Sequence, residues 1–182
     1  MSYIKIIQPE EATGRLKEIY DNILSKRGKI AEVHKIQSLR PESILKHIDL
    51  YIEIMFSKSE LTRAEREMMA VVVSATNQCE YCQIHHAEAL LHYWKNKEKV
   101  ELLRKDFRKI ELSEREKALC EFAEKVTLHP QNRNIDILKN VSLSDAAILD
   151  ATLVVAYFNF VNRIVLTLGV HIESDMGKGY NY

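Results

Sequence analysis

The chain has 182 residues, a little more than one average domain needs, and 46% of them are hydrophobic. This apolar fraction excludes a disordered chain, and five glycines and three prolines are too few for the turns of a β sandwich or barrel. The 26 basic and 26 acidic residues give a formal charge of +0, which argues against nucleic-acid binding. We therefore predict one all-α domain over residues 1–182.

Two segments bear on where such a chain resides. The start, residues 1–7, is too short and too polar for a signal peptide. The longest apolar stretch, residues 151–170, has Asn159, Asn162 and Arg163 near its middle. An arginine at the centre of a bilayer costs about 3 kcal/mol or more, so we expect no membrane span and a cytoplasmic protein.

Apolar residues at helical spacing predict helices in residues 1–60. Gly28 follows the first stripe, and Pro41 precedes the second. The first stripe is Leu16, Ile19, Tyr20, Ile23 and Leu24, and the second is Ile44, Leu45, Ile48, Tyr51, Ile52 and Met55.

Two capping boxes, in which a hydroxyl residue precedes a glutamate by three positions, predict helix starts after Thr62 and Ser113. The first opens a helical hairpin over residues 61–95 that contains two cysteines. The second opens a helical region over residues 112–170, interrupted by a loop near residues 129–132. Residues 171–182 form a tail.

A degenerate internal repeat at an offset of 82 residues relates these two regions. At that offset Cys79 aligns with Val161, Cys82 with Ile164 and His86 with Leu168. We expect the second copy to keep the helical hairpin and to lack every reactive side chain.

The segment from Cys79 to His86 carries the candidate chemistry. On an α-helix, Cys79, Cys82 and His86 project within an arc of about 60°. Cys82 and His86 are i,i+4 neighbours, about 5–6 Å apart at Cβ, whereas His85 lies on the far side of Cys82 and is the secondary candidate. A break at residues 77–78 would put both cysteines in the first turn of a helix, where unpaired amides and the helix dipole stabilise a thiolate.

The same break would bring Glu67 to this segment. Glu67 lies ten residues before Asn77 and His86 lies nine after it, so the two face each other if the chain doubles back there. Glu67 would then orient the imidazole of His86, which would take the proton from Cys82.

Less reactive interpretations remain open for these residues. Cys79, Cys82 and His86 could bind zinc with Glu67 as a fourth ligand, although structural zinc sites usually draw a second Cys or His pair from another segment. Cys120 lies among apolar residues and is expected to be a small buried hydrophobic residue.

The order Glu67, eleven residues, then Cys79-x-x-Cys82-x-x-x-His86 resembles the motif of the alkyl hydroperoxidase D-like branch of the carboxymuconolactone decarboxylase superfamily. The second half, with the run from Tyr157 to Arg163, is similar to its peroxidase-related subgroup. The resemblance implies an all-α bundle of helical hairpins that forms trimers or hexamers, and no metal or organic cofactor.

The resemblance also implies the roles of the site residues. Cys82 would be the peroxidatic thiolate, Cys79 the resolving thiol, and His86 with Glu67 the proton relay. Tyr81 stands where well-studied members carry a histidine, which leaves His85 as the candidate to replace it. The decarboxylase branch lacks the cysteine pair, so its presence here disfavours lactone decarboxylation.

We therefore predict an antioxidant thiol peroxidase that uses an external dithiol reductant, either a dihydrolipoyl group or a thioredoxin-like protein. Cys79 is expected to be the more exposed cysteine, since it must meet that reductant. A protein dithiol–disulfide oxidoreductase is one alternative, and a non-catalytic helical oligomer or zinc-binding protein is another. Neither nucleic acid nor a membrane is an expected partner.

Overall fold

The computed structural model describes residues 2–176, and every regular element in that range is helical. The all-α class is thus confirmed. Two short 3₁₀ turns lie at Pro9–Glu11 and Phe107–Lys109. The α-helices are α1 Gly14–Arg27, α2 Glu32–Lys35, α3 Pro41–Phe56, α4 Arg63–Thr76, α5 Glu80–Trp94, α6 Lys97–Lys105, α7 Glu114–Leu128, α8 Asp136–Lys139 and α9 Asp145–Leu168.

The sequence signals for helix starts hold in the structure. Thr62 and Ser113 both cap their helices through the complete capping box, with Glu65 and Glu116 reaching back to the cap amides. Both predicted apolar stripes supply buried residues, in α1 and α3. Of the predicted tail, residues 177–182 lie outside the described residues.

Helix α4 is the central element of the fold. All ten residues 65–74 are buried, and the helix packs against α5, α7 and α9. A helix that is buried on every side has to place its polar side chains against partners. This position explains why a glutamate on α4 lies deep in the protein beside α5.

A sharp turn at Asn77 and Gln78 folds α5 back against α4, as the sequence predicts. The Asn77 side-chain amide donates to the carbonyl oxygens of the Asn159 and Asn162 side chains at 3.0 and 2.9 Å. The Asn162 amide in turn donates to Ser74 Oγ at 3.2 Å. The polar residues in the middle of α9 therefore hold the turn that begins α5.

The predicted second hairpin is wrong. Ser144 caps α9 as Thr62 caps α4, but α9 continues without a break through Asn159 and Phe160, the positions that align with the turn. Gln78 takes a left-handed backbone conformation, with φ of 56°. A bulky phenylalanine adopts that conformation poorly, so the second copy stays one long helix.

By length and hydropathy α9 could span a membrane, with a mean hydropathy of 1.5 over its most apolar window. Its buried residues pack against α4 and α7, and 44% of that window is buried inside the fold. A core helix of a globular domain has the same properties.

We predict that the turn discriminates strongly between residues at position 78, because Gln78 is exposed and only its backbone is constrained. Gln78→Gly should be more stable than Gln78→Val by about 1–2 kcal/mol, since a left-handed conformation is penalised for residues with a Cβ. Urea denaturation measures the difference. Equal stability of the two variants would contradict a left-handed turn.

Candidate active site

The two cysteines occupy the first turn of α5. Cys79 is the N-cap residue, with φ of −86° and ψ of 89°, and Cys82 lies three positions along. Their sulfur atoms are 3.0 Å apart and share a hydrogen bond, and both thiols are free. Because the cap residue is not helical, the sulfurs approach more closely than on a regular helix. The first turn is thus compatible with a bond between them.

The expectation that Cys79 is the more exposed cysteine is wrong. Cys79 has 0% of its surface exposed and Cys82 has 2%. Cys82 lines a cavity, whereas Cys79 is not among the residues that line it. The side chain of a cap residue at this tight turn is enclosed by the packed helices. A small molecule in the cavity therefore meets Cys82.

The sequence suggested that the start of the helix would favour the thiolate of both cysteines. In the structure, the pKa of only one of the two thiols is lowered. The hydrogen bond with Cys82 lowers the pKa of Cys79, although burial opposes this. The same hydrogen bond, together with burial, raises the pKa of Cys82 well above its usual value, and a hydrogen bond from Asn162 only partly offsets this. In this reduced pair the first thiolate is therefore favoured on Cys79, and Cys82 needs a base.

Glu67 and His86 meet as predicted. Glu67 Oε2 lies 2.6 Å from His86 Nδ1, across the α4–α5 hairpin. The Glu67 side chain is completely buried, and the imidazole also packs edge-on against Phe158 with the ring centres 4.4 Å apart. The imidazole is therefore fixed in orientation by one polar and one aromatic contact.

Sequence reasoning missed Arg63, which holds the other oxygen of Glu67. Arg63 Nη2 donates to Glu67 Oε1 at 2.5 Å and to the Tyr51 hydroxyl at 3.0 Å. Its guanidinium lies 3.7 Å from the centre of the Phe56 ring, and Nη1 donates to the Met55 carbonyl. The signal was present, because Arg63 precedes Glu67 by four residues on one helix.

These contacts set the charge state of Glu67 and the tautomer of His86. Burial raises the pKa of Glu67, but His86 and then Arg63 outweigh it, so the net pKa is lowered. An ionised carboxylate only accepts hydrogen bonds, so His86 Nδ1 carries a hydrogen. In the neutral imidazole, Nε2 is then the atom that can take a proton.

His85 and Tyr81 belong to a second cluster around Glu173. His85 Nε2 lies 3.0 Å from Glu173 Oε2, and its Nδ1 lies 2.8 Å from the Tyr81 carbonyl. The Tyr81 hydroxyl donates to Glu173 Oε1 at 2.9 Å and accepts from the Val33 amide. Both nitrogens of His85 thus face acceptors, and this arrangement argues against His85 as the base for the cysteines.

No local signal connects Glu173 to this cluster, since it lies 92 residues beyond Tyr81. Glu173 also accepts from the Glu32 amide at the start of α2. Burial raises its pKa, but the contacts with His85 and the Glu32 amide lower it to about 2 overall. The ionised carboxylate of Glu173 therefore connects the segment after α9 to α2 and α5 through hydrogen bonds and an ion pair.

The cavity beside Cys82 has a volume of about 90 Å³. A single water needs about 10–15 Å³ on the same measure, so the cavity is large enough for a small organic molecule. Its walls combine Cys82 with aromatic rings, Arg27 and four histidines. The lining histidines are His34, His47, His85 and His86, and the aromatic residues are Tyr51, Phe56, Tyr81, Tyr157 and Phe158.

The contacts of Glu67 also bear on the zinc alternative, in which Glu67 would be the fourth ligand. Both carboxylate oxygens of Glu67 are taken, one by Arg63 and the other by His86. Within residues 2–176, no three His, Cys, Asp or Glu side chains are arranged to hold a metal ion.

Cys120 is fully buried and burial raises its pKa, as expected for a small core residue.

Solved structures of other proteins share this fold. One is the alkylhydroperoxidase AhpD core of a peroxidase-related protein from Ralstonia eutropha JMP134, with 23% identity, a TM-score of 0.85, and coverage of 97% of this chain and 94% of that chain. Another is a peroxidase-related protein from Silicibacter sp. TM1040, with 24% identity, a TM-score of 0.83, and coverage of 97% of each chain. The debrominase Bmp8, solved with 2,3,4-tribromopyrrole, has 18% identity and a TM-score of 0.78 over 97% of this chain and 96% of that chain.

At these identities the likeness concerns the fold. The sequence adds a match between residues 43–125 and the model of the Carboxymuconolactone decarboxylase family. This range contains α4 and α5, and with them the Glu67–His86 pair and both cysteines. None of the curated proteins matches the chain.

We predict that Arg63→Met lowers the free energy of unfolding by about 3 kcal/mol, because it leaves the buried charge of Glu67 without its arginine. Adding Glu67→Gln should recover at least about 1 kcal/mol of this loss, since an amide carries no charge to be neutralised. Urea denaturation at pH 7 measures both values.

The matched control is Arg133→Met, which replaces an arginine whose side chain is 75% exposed and pairs with exposed Asp136, and it should change stability by less than about 0.5 kcal/mol. If the Arg63 variant were as stable as this control, Glu67 would not depend on Arg63.

Proposed function

We propose that this chain is a member of the carboxymuconolactone decarboxylase superfamily, in its alkyl hydroperoxidase D-like branch, and that it is a thiol-dependent peroxidase that reduces organic hydroperoxides through Cys82 and Cys79. One arrangement carries the proposal. Cys82 borders a cavity, lies 3.0 Å from the sulfur of Cys79, and shares that cavity with His86, whose imidazole is held by buried Glu67.

The first step is attack by Cys82 on the peroxide. His86 Nε2 takes the proton from the Cys82 thiol, and the sulfur bonds to the terminal oxygen of ROOH while the O–O bond breaks. The leaving alkoxide takes the proton from His86, which gives ROH and a sulfenic acid on Cys82. The raised pKa of Cys82 makes the base necessary, and Glu67 stabilises the imidazolium that forms.

The second step closes the disulfide. Cys79 attacks the sulfenic sulfur of Cys82 across the short sulfur–sulfur distance and water is released. An external dithiol then restores both thiols through a mixed disulfide and is itself oxidised to a disulfide.

The burial of both cysteines favours small or slender partners. A disulfide on the surface of a folded protein cannot reach thiols that have 0% and 2% of their surface exposed. This supports a hydroperoxide substrate over the protein dithiol–disulfide oxidoreductase alternative. By the same reasoning, a dihydrolipoyl arm suits the site better than the broad surface of a thioredoxin-like protein.

We also propose that the chain forms a homo-oligomer, a trimer or hexamer, through the outer face of α9. Leu149, Leu153 and Phe160 are all exposed there, with Ala156 between them. Their spacing follows a heptad seam, which presents one apolar stripe along the helix. A second copy of the same helix would cover this stripe.

We predict that one equivalent of an alkyl hydroperoxide removes two free thiols per chain and that a dithiol restores them. Cys82→Ser should abolish peroxide consumption. Without a dithiol, Cys79→Ser should consume one equivalent of peroxide and form a trappable sulfenic acid on Cys82. Glu67→Gln should lower kcat/KM by about 100-fold, because it removes the charge that stabilises the imidazolium.

Cys120→Ala is the matched control and should behave as the unmodified protein, since Cys120 is fully buried in the core and does not line the cavity. Persistent peroxide consumption by the Cys82 variant, with a working dithiol present, would exclude the proposed mechanism.

For the oligomer, we predict that Leu153→Glu lowers the mass measured by light scattering to that of a smaller species, because it introduces a charge into the apolar stripe. Leu128→Glu changes an exposed leucine at the end of α7 and should leave the mass unchanged. A monomeric mass for the unmodified protein would contradict the proposal.

A further inference from the structure

The cavity has a second polar end, separated from the cysteines by aromatic rings. His86 contacts Phe158 at 4.4 Å between ring centres, and Phe158 contacts Tyr157 at 5.1 Å. Tyr157 contacts His47 at 5.6 Å, and His47 contacts His34 at 5.3 Å. His34 and His47 therefore lie at one end of this row of rings and the Glu67–His86 pair lies at the other.

The tautomer of His47 is fixed by Gln37. The side-chain amide nitrogen of Gln37 lies 2.8 Å from the Val33 carbonyl and 2.7 Å from His47 Nδ1. A carbonyl only accepts, so that atom is the amide NH₂ group, and it donates its second hydrogen to Nδ1. His47 Nε2 therefore carries the ring hydrogen and is a donor.

His34 has unused hydrogen-bonding capacity. It is 7% exposed and lines the cavity, and its buried Nδ1 has no hydrogen-bond partner within residues 2–176. Buried polar atoms are normally paired, so an imidazole left in this state points to a missing ligand. Burial lowers the pKa of both histidines, that of His47 to about 4, so both rings are neutral at pH 7.

We propose that His34 and His47 form a subsite that binds a hydroxyl group on an aromatic ligand. A hydroxyl both donates and accepts, so it can accept from His47 Nε2 while it donates to the ring of His34. The edge-to-face pair of Tyr157 and Phe158 would hold the aromatic part between this subsite and Cys82. That such a ligand is also a reactant of Cys82 rests on the function proposed above.

The electrostatics of the subsite favour a polar hydroxyl over a cationic group. Arg27 lines the same cavity, and its charge contributes to the lowered pKa of both histidines. An ammonium group would be repelled by Arg27, whereas the oxygen of a hydroxyl carries partial negative charge. The cavity volume of about 90 Å³ suits a single substituted ring.

The experiment compares two probes of nearly equal shape, 4-methylphenol and toluene, bound to the reduced protein without peroxide. Chemical-shift titration measures each dissociation constant. We expect 4-methylphenol to bind about 10-fold more tightly than toluene, the modest net gain when two hydrogen bonds in a buried site replace those that the hydroxyl makes with water. His34→Phe should remove this preference and leave toluene affinity within about twofold.

His47→Phe should remove the same preference, so it serves as the second variant if His34→Phe does not fold. His92→Phe is the matched control on α5 outside the cavity and should retain the full preference. Equal affinity for the two probes in the unmodified protein, or a preference that survives in a folded His34 or His47 variant, would overturn the subsite.

Because no peroxide is present, this binding result is independent of the proposed peroxidase activity. A protein that binds 4-methylphenol selectively but consumes no hydroperoxide would leave the subsite intact and refute only the proposed function.

Discussion

A buried carboxylate is the constraint on which the site depends. Glu67 has no exposed surface, and an unpaired charge there would destabilise the fold strongly. Arg63 satisfies one oxygen from the same helix, and His86 satisfies the other from the neighbouring helix. The second contact exists only if α5 folds back along α4, so the charge that orients the imidazole also favours the hairpin.

The sequence was sufficient to predict contacts that follow from one turn. Residues at equal distance from Asn77 must face each other across an antiparallel hairpin, and this placed His86 opposite Glu67. The capping boxes at Thr62 and Ser113 were equally predictable, because their chemistry is local. Arg63 could have been found in the same way, from its i,i+4 spacing to Glu67.

Contacts made by distant segments could not be predicted in this way. Glu173 reaches Tyr81 and His85 from beyond α9, and His34 and His47 reach the cavity from α2 and α3. These placements depend on how helices pack, which a helical period does not specify. The prediction of a second hairpin was wrong for a different reason. The repeat correctly predicted the helix start at Ser144, but Phe160 is poorly suited to the left-handed conformation that the turn requires.

The cysteine pair shows why a helix start alone does not decide which thiol reacts. The dipole acts on both sulfurs, whereas the hydrogen bond between them shifts their pKa values in opposite directions. The more readily ionised thiol, Cys79, is enclosed, and the thiol with the raised pKa, Cys82, borders the cavity. In the proposed mechanism, access therefore selects Cys82 as the nucleophile, and its raised pKa in turn requires the base that buried Glu67 holds in place.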